Sequence, residues 1–82
     1  MLEKLSVSID TIRVPAKRAK TLDETKLGLI AEDIMDKGQL TPIQVRIDGD
    51  GYILIEGLHR LEALRALGEA YVEAYIVRAR LH

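Results

Sequence analysis

The chain has no cysteine, phenylalanine or tryptophan, and only two prolines and three tyrosines among its 82 residues. Without cysteine there can be no disulfide, no thiolate zinc site and no thiol nucleophile. Three tyrosines are too few for the stacking platforms that bind single-stranded nucleic acid. No apolar run reaches the roughly 18 residues that a membrane span needs. The first ten residues do not form a signal peptide, because they are charged and alternate in polarity. These absences favour a cytoplasmic protein with no membrane association.

Charge is almost balanced, with 12 basic and 13 acidic side chains and a net charge of −1. This balance argues against broad nonspecific binding of nucleic acid, although it leaves room for a local basic patch. A hydrophobic content of 48% fits a folded domain and argues against intrinsic disorder. The length predicts a single domain over residues 1–82.

The first half of the chain is predicted to form a strand region followed by a helix. Residues 5–14 alternate in part between apolar and polar, which predicts one strand or two short ones, ended by Pro15. A basic loop follows. Thr21 and Glu24 have the spacing of a capping box, which predicts Thr21 as the N-cap of a helix that stops at Lys37-Gly38. The apolar face of this helix comprises Leu27, Ile30, Ala31 and Ile34.

The second half of the chain is predicted to form a hairpin, a second helix and a last strand, over residues 43–55, 58–67 and 71–77. Residues 48–51 contain two aspartates and two glycines, which favour a tight hairpin turn. Residues 78–82 are expected to be a frayed end. The order β-α-β-β-α-β predicts an α+β fold with a small mixed sheet and two main helices.

The most informative stretch runs from Ile55 to Arg60, where a strand ends in one glycine and a helix begins with two cationic side chains. A helix start exposes unpaired N–H groups at the positive end of the macrodipole. Gly57 provides no side chain to cap them, so an anion could bind there, with Arg60 clamping a phosphate and His59 donating. The spacing alone leaves open a simple tight turn, with Arg60 paired to a carboxylate and His59 solvated.

Two further features have alternative interpretations. Glu56 could hold a metal ion or act as a general base, or it could be a surface carboxylate paired with Arg60. Residues 13–20 carry four cations, which could contact phosphates or form a solvated loop. These cations are Arg13, Lys17, Arg18 and Lys20.

An ordered set of motifs resembles the ParB/sulfiredoxin-like superfamily, and most closely the ParB N-terminal domain. The motifs are Thr41-Pro42-Ile43-Gln44-Val45, a hairpin strand at Tyr52 to Glu56, Gly57-Leu58-His59-Arg60, and a helix ending in Leu67-Gly68. The resemblance covers about residues 9–77. It implies a nucleoside triphosphate, CTP or ATP, on the turn at the second helix, usually with a divalent metal such as Mg²⁺.

The resemblance also implies roles for individual residues. Phosphate contacts would come from the segment Gly57, Leu58, His59 and Arg60. Thr41 and Gln44 lie where the family builds part of its nucleotide pocket, and Arg18 matches an arginine-containing first motif loosely.

Leu58 is the main departure from the family pattern. Sulfiredoxins have a catalytic cysteine at this position, so thiol-based repair of sulfinic acid is excluded here. Partition proteins have a glutamate there that serves nucleotide and metal chemistry, and Glu56, two residues earlier, could substitute for it. The helix-turn-helix and dimerisation domains of partition proteins have no counterpart within these 82 residues.

Three hypotheses follow. The first is a nucleotide-binding regulatory module in transcription regulation or plasmid maintenance, with DNA, a DNA-bound protein or a second copy as further partners. The second is a metal-dependent phosphotransferase, nucleotidase or nuclease that uses Glu56 as its catalytic base. The third is a ligand-free module that binds DNA or protein through the basic loop and Arg60.

Overall fold

The computed structural model describes residues 3–39 and 41–78. The strands are β1 (Glu3–Ser8), β2 (Ile12–Arg13), β3 (Ile43–Asp48), β4 (Gly51–Glu56) and β5 (Tyr71–Ile76). The helices are α1 (Ala16–Ala19), α2 (Glu24–Lys37) and α3 (Leu58–Ala66). The α+β class and both main helices are confirmed. The predicted frayed end lies outside the described residues from residue 79 onward.

The sheet is mixed and has the strand order β1-β5-β3-β4-β2. Antiparallel pairs join β1 with β5 and β3 with β4, while β5 and β2 run parallel to β3 and β4 respectively. The predicted first strand is therefore two strands at opposite edges of the sheet. A 3-10 turn at Ile9–Thr11 separates them and carries the chain from one edge to the other.

The core lies between one face of the sheet and the helices. Leu61 and Val45 are completely buried at its centre. The predicted apolar face of α2 is only half-buried, because α2 packs on α3 and contributes Ile34 to the edge of the core. The buried core residues are Val7, Ile9, Ile12, Ile43, Val45, Leu54, Leu58, Leu61, Leu64, Val72, Ala74 and Ile76.

The prediction of Thr21 as the N-cap of α2 is wrong. Asp23 is the N-cap, and its carboxylate accepts hydrogen bonds from the N–H groups of Thr25 and Lys26 at 2.9 and 3.2 Å. The hydroxyl of Thr21 instead donates to the carbonyl of Arg18 at 2.7 Å. The segment predicted as a basic loop contains the short helix α1, and Thr21 closes its end.

The predicted stops and turns are confirmed. Gly38 ends α2 with φ 76°, and its N–H donates to the carbonyl of Ile34 at 2.7 Å. Gly49 in the β3–β4 hairpin turn has φ 60°.

Within residues 3–39 and 41–78, none of the helices combines the length and apolar content required to span a bilayer.

Candidate functional site

The turn before α3 is built by a β-bulge and a glycine. Gln44 pairs with Glu56 and Val45 with Leu54, so Ile55 has no partner and β4 bulges just before the turn. Gly57 has φ 105° and ψ 35°. A Cβ on this glycine would lie 2.7 Å from Cγ2 of Ile43, which is closer than real side chains approach. The turn is therefore packed against β3 and admits only glycine.

The first turn of α3 offers backbone donors. No side chain of the residues that the structure describes caps this helix, and the N–H of Leu61 makes its first backbone bond, to the carbonyl of Gly57 at 2.9 Å. The N–H groups of Leu58, His59 and Arg60 precede that bond and lie at the positive end of the helix dipole. The Leu58 side chain is buried in the core, so this residue presents only its backbone to the site.

A polar cleft of about 480 Å³ opens at this helix start, between α3, the start of α2 and α1. Three cationic side chains and one carboxylate line it, so the cleft has an excess of positive charge. Its lining residues are Arg18, Thr21, Lys26, Ile30, Glu56, Gly57, Leu58, His59 and Arg60.

Arg18 and Glu56 form an ion pair across the cleft, with Nη2 of Arg18 3.3 Å from Oε2 of Glu56. The side chains are 39% and 64% exposed. The Nε of Arg18 is buried and has no hydrogen-bond partner among the described residues. The sequence analysis names Arg60 as a possible ion-pair partner of Glu56, whereas in the structure the partner of Glu56 is Arg18.

Arg60 and Lys26 are available to an anion. Neither side chain makes an ion pair with any residue in the described ranges. Arg60 is half-buried and lines the cleft together with the first residues of α3. The interpretation of Arg60 as a residue neutralised by a neighbouring carboxylate is therefore not supported.

His59 joins the two main helices. Its Nε2 accepts a hydrogen bond of 2.9 Å from the N–H of Asp23, the N-cap of α2. The ring proton of the neutral imidazole is therefore on Nδ1, and only Nδ1 could donate to an anion. This contact spans 36 residues, and nothing in the sequence around His59 indicates it.

Thr41 and Gln44 lie outside the lining of this cleft. Gln44 is half-buried on β3 and is paired with Glu56 in the strand register, so it is a neighbour of the cleft. Thr41 is exposed just before β3. Their predicted part in a nucleotide pocket stays a prediction of the resemblance.

The predicted basic patch is divided. Nη2 of Arg13 lies 2.8 Å from Oδ2 of Asp48, at the hairpin turn between β3 and β4. Arg18 lines the cleft, whereas Lys17 and Lys20 are exposed on and just after α1. Arg13 is therefore paired with a carboxylate, and of the four cations Arg18 lines the cleft.

Among the described residues, Glu56 is the only carboxylate that lines the cleft. In the part of the chain that the structure describes, no group of three or more His, Asp or Glu side chains could hold a metal ion. Mg²⁺ commonly binds through one or two carboxylates together with phosphate oxygens. The cleft therefore fits Mg²⁺ only as an ion shared with a bound phosphate chain.

Comparison with known proteins gives a family match over nearly the whole chain. The model of the ParB N-terminal domain matches residues 2–81. The chromosome-partitioning protein ParB of Myxococcus xanthus is 40% identical over 73 residues, which cover 88% of this chain and 25% of that protein. The chain thus spans about a quarter of the length of the curated relatives that it matches.

Solved structures share the fold. Sulfiredoxin from Arabidopsis thaliana has a TM-score of 0.83 and 26% identity, covering 94% of this chain and 86% of its own. The C-terminally truncated ParB of Caulobacter crescentus, complexed with CTP-γ-S, has a TM-score of 0.81 and 24% identity, covering 95% of this chain and 46% of its own. From the match over residues 2–81 and the 40% identical relative, we conclude that this chain belongs to the ParB N-terminal domain family.

Proposed function

We propose that this chain binds a nucleoside triphosphate, CTP or ATP, at the start of α3, and that it acts as a regulatory module in chromosome or plasmid partition or in transcription regulation. The observation that carries this proposal is the cationic cleft, which is lined by the first residues of α3 and by Arg60, a side chain that makes no ion pair within the described ranges. The Caulobacter ParB of the same fold, which is complexed with CTP-γ-S, supports the ligand class.

The phosphate chain would lie on the turn at Gly57. The absence of a side chain there lets phosphate oxygens approach the N–H groups of Leu58, His59 and Arg60. The helix dipole contributes only about 1 kcal/mol, whereas a hydrogen bond to a charged group contributes roughly 1.5–3 kcal/mol. Arg60 should therefore dominate the binding free energy, with Arg18 as the second guanidinium.

Glu56 would hold Mg²⁺ together with the phosphates. When bound, the ion neutralises part of the charge of the phosphate chain. Thr41 and Gln44 would contact the nucleoside end of the ligand, as the resemblance implies.

Replacing Arg60 by alanine tests the proposal. We expect Arg60→Ala to lower the affinity for CTP or ATP with Mg²⁺ by roughly 10- to 150-fold, which corresponds to the loss of about 1.5–3 kcal/mol. Isothermal titration calorimetry measures the affinity, and circular dichroism melting shows whether the fold is intact.

Arg65→Ala is the matched control. Arg65 lies on the same helix as Arg60, its Nε is 3.2 Å from Oε1 of Glu62, and it does not line the cleft. This variant should keep a nucleotide affinity within about twofold of that of the parent chain. Its ion pair lies outside the cleft lining, and a surface ion pair contributes at most about 1 kcal/mol to folding. An affinity of Arg60→Ala within threefold of the parent would contradict the proposed role.

Two further measurements separate the other hypotheses. Because Glu56 lies at the edge of the cleft, Mg²⁺-dependent release of phosphate that disappears in Glu56→Gln would favour an enzyme. The pairing of Arg13 with Asp48 removes one cation from the patch that a ligand-free DNA-binding module would use. A steep dependence of DNA affinity on salt would favour that module nevertheless.

A further inference from the structure

We propose that a second groove, at the end of β3 opposite the cleft, binds an extended acidic segment of a partner protein as an added strand. The groove has a volume of about 280 Å³ and is called the sheet-end groove below. Its lining residues are Arg46, Ile47, Ile76, Val77 and Arg78. None of them lines the cleft at the start of α3, so the inference goes beyond the proposed function and does not depend on it.

The groove lies where β3 continues past its pairing with β5. The register joins Val45 to Ile76, and the N–H of Val77 donates to the carbonyl of Val45 at 2.7 Å. In the described ranges the ladder goes no further, whereas β3 runs on to Asp48. The backbone of Val45 faces β5, so Ile47, two residues later, turns its N–H and C=O to the same side. A strand added beside Ile47 would give these groups the hydrogen bonds that backbone groups require.

The two faces of this open edge differ in chemistry. Val45 is buried on the core face of β3, so Ile47 belongs to that face and Arg46 to the opposite one. Ile76 is 4% exposed and Ile47 is 59% exposed, so the groove has an apolar floor that the chain only partly covers. An added strand would place alternate side chains on this floor and the others on the side of Arg46. Alternating apolar and acidic side chains therefore fit both faces.

The charge of the groove favours an acidic partner. Among residues 3–39 and 41–78, two arginines and no carboxylate line it. Neither Arg46 nor Arg78 makes an ion pair with another residue of these ranges. The carboxylate of Asp48, two residues further along β3, is already paired with Arg13 at 2.8 Å. A guanidinium binds a carboxylate through two parallel hydrogen bonds, so both arginines are available to acidic side chains of the added strand.

An acidic peptide fits the groove better than a nucleic acid does. Phosphates would be attracted to the two arginines, but they would use neither the apolar floor nor the open backbone of β3. In strand addition, main-chain hydrogen bonds provide affinity and alternate side chains provide specificity. The sheet-end groove offers both kinds of contact together with the charge.

The test titrates the isotope-labelled chain with blocked hexapeptides in which valine alternates with glutamate, with glutamine or with lysine. In amide NMR spectra, we expect the glutamate peptide to shift the signals of Ile47 and Val77 and to bind at least about fivefold more tightly than the other two. A fourth peptide has the side chains of the glutamate peptide but methyl groups on alternate backbone nitrogens. It should bind at least about fivefold more weakly, because it lacks donors on one edge.

Arg46→Gln and Arg78→Gln test the two cations separately. Each should weaken the binding of the glutamate peptide by roughly three- to fivefold, the upper range for an exposed ion pair, and that of the glutamine peptide by less than about twofold. Arg65→Gln is the matched control, because it removes the same charge from α3 and Arg65 does not line the groove. It should keep both affinities within about twofold of the parent, and circular dichroism melting shows that each variant is folded.

Three results would overturn the inference, and none of them bears on nucleotide binding at the cleft. If the signals of Ile47 and Val77 do not move with the glutamate peptide at roughly millimolar concentration, the groove does not accept a strand. Equal affinities for the glutamate and glutamine peptides would remove the acidic preference. If a DNA duplex shifts the same signals and displaces the glutamate peptide, the arginines serve phosphates and the partner is a nucleic acid.

Discussion

Gly57→Ala should be the most damaging change in the turn that builds the site. The new Cβ would lie 2.7 Å from Cγ2 and 2.9 Å from Cβ of Ile43. Ile43 cannot move aside easily, because it is 1% exposed and its β-branched side chain is stiff. The backbone at φ 105° adds strain for any residue with a side chain.

These two effects set the expected magnitude. Left-handed backbone costs an L-residue about 1–2 kcal/mol, and overpacking a core typically costs about 1–3 kcal/mol. We therefore expect Gly57→Ala to lower the free energy of unfolding by roughly 2–5 kcal/mol. A chain of this length has a total stability of roughly 4–12 kcal/mol, so the variant should be close to unfolding.

Gly68→Ala separates strain from overpacking. Gly68 also has a positive φ, 80°, but a Cβ there meets nothing within 4 Å. It should cost only the strain, about 1–2 kcal/mol. Urea unfolding followed by circular dichroism gives both values, provided that the m-values agree. If Gly57→Ala proves no more costly than Gly68→Ala, the contact with Ile43 does not fix the turn and our explanation of this glycine is wrong.

Two other predictions concern the helices. Asp23→Ala should lower the free energy of unfolding by about 1 kcal/mol, because it removes the N-cap of α2. Thr21→Ala should lower it by less in the same urea titration. If Thr21→Ala lowered it by more, Thr21 and not Asp23 would be the N-cap of α2. Leu61→Ala should cost roughly 2–5 kcal/mol, because this side chain is completely buried. Leu29→Ala, at a site 64% exposed on α2, is its control, and equal thermal shifts in the two variants would contradict the described core.

Local patterns predicted most of the secondary structure. The apolar spacing of α2, its stop at Gly38 and the Asp-Gly hairpin turn all depend on residues that are close in sequence. The split of the first strand was only one of two options, because alternation does not show that β1 and β2 pair at opposite edges of the sheet. The capping-box spacing was misleading because Asp23, two residues later, offers a better placed acceptor.

The sequence predicts the turn of the candidate site better than the partners of its side chains. A strand end, a glycine and a cationic helix start are adjacent in sequence, so the turn at Gly57 could be predicted. The pairing of Arg18 with Glu56 and the bond from Asp23 to His59 span 38 and 36 residues. Tertiary packing, including that of α2 on α3, brings these groups together, and no local pattern encodes that packing.

The position of β1 has a consequence for the order in which the protein can fold during synthesis. Among the strands of residues 3–39 and 41–78, β1 pairs with β5 alone, and the register joins Glu3 to Ile76. A ribosome adds roughly 5–20 residues per second, so the first strand exists for several seconds before its partner is made. During that time its backbone donors and acceptors stay open to other chains, and the sheet can close only after the last strand has left the exit tunnel.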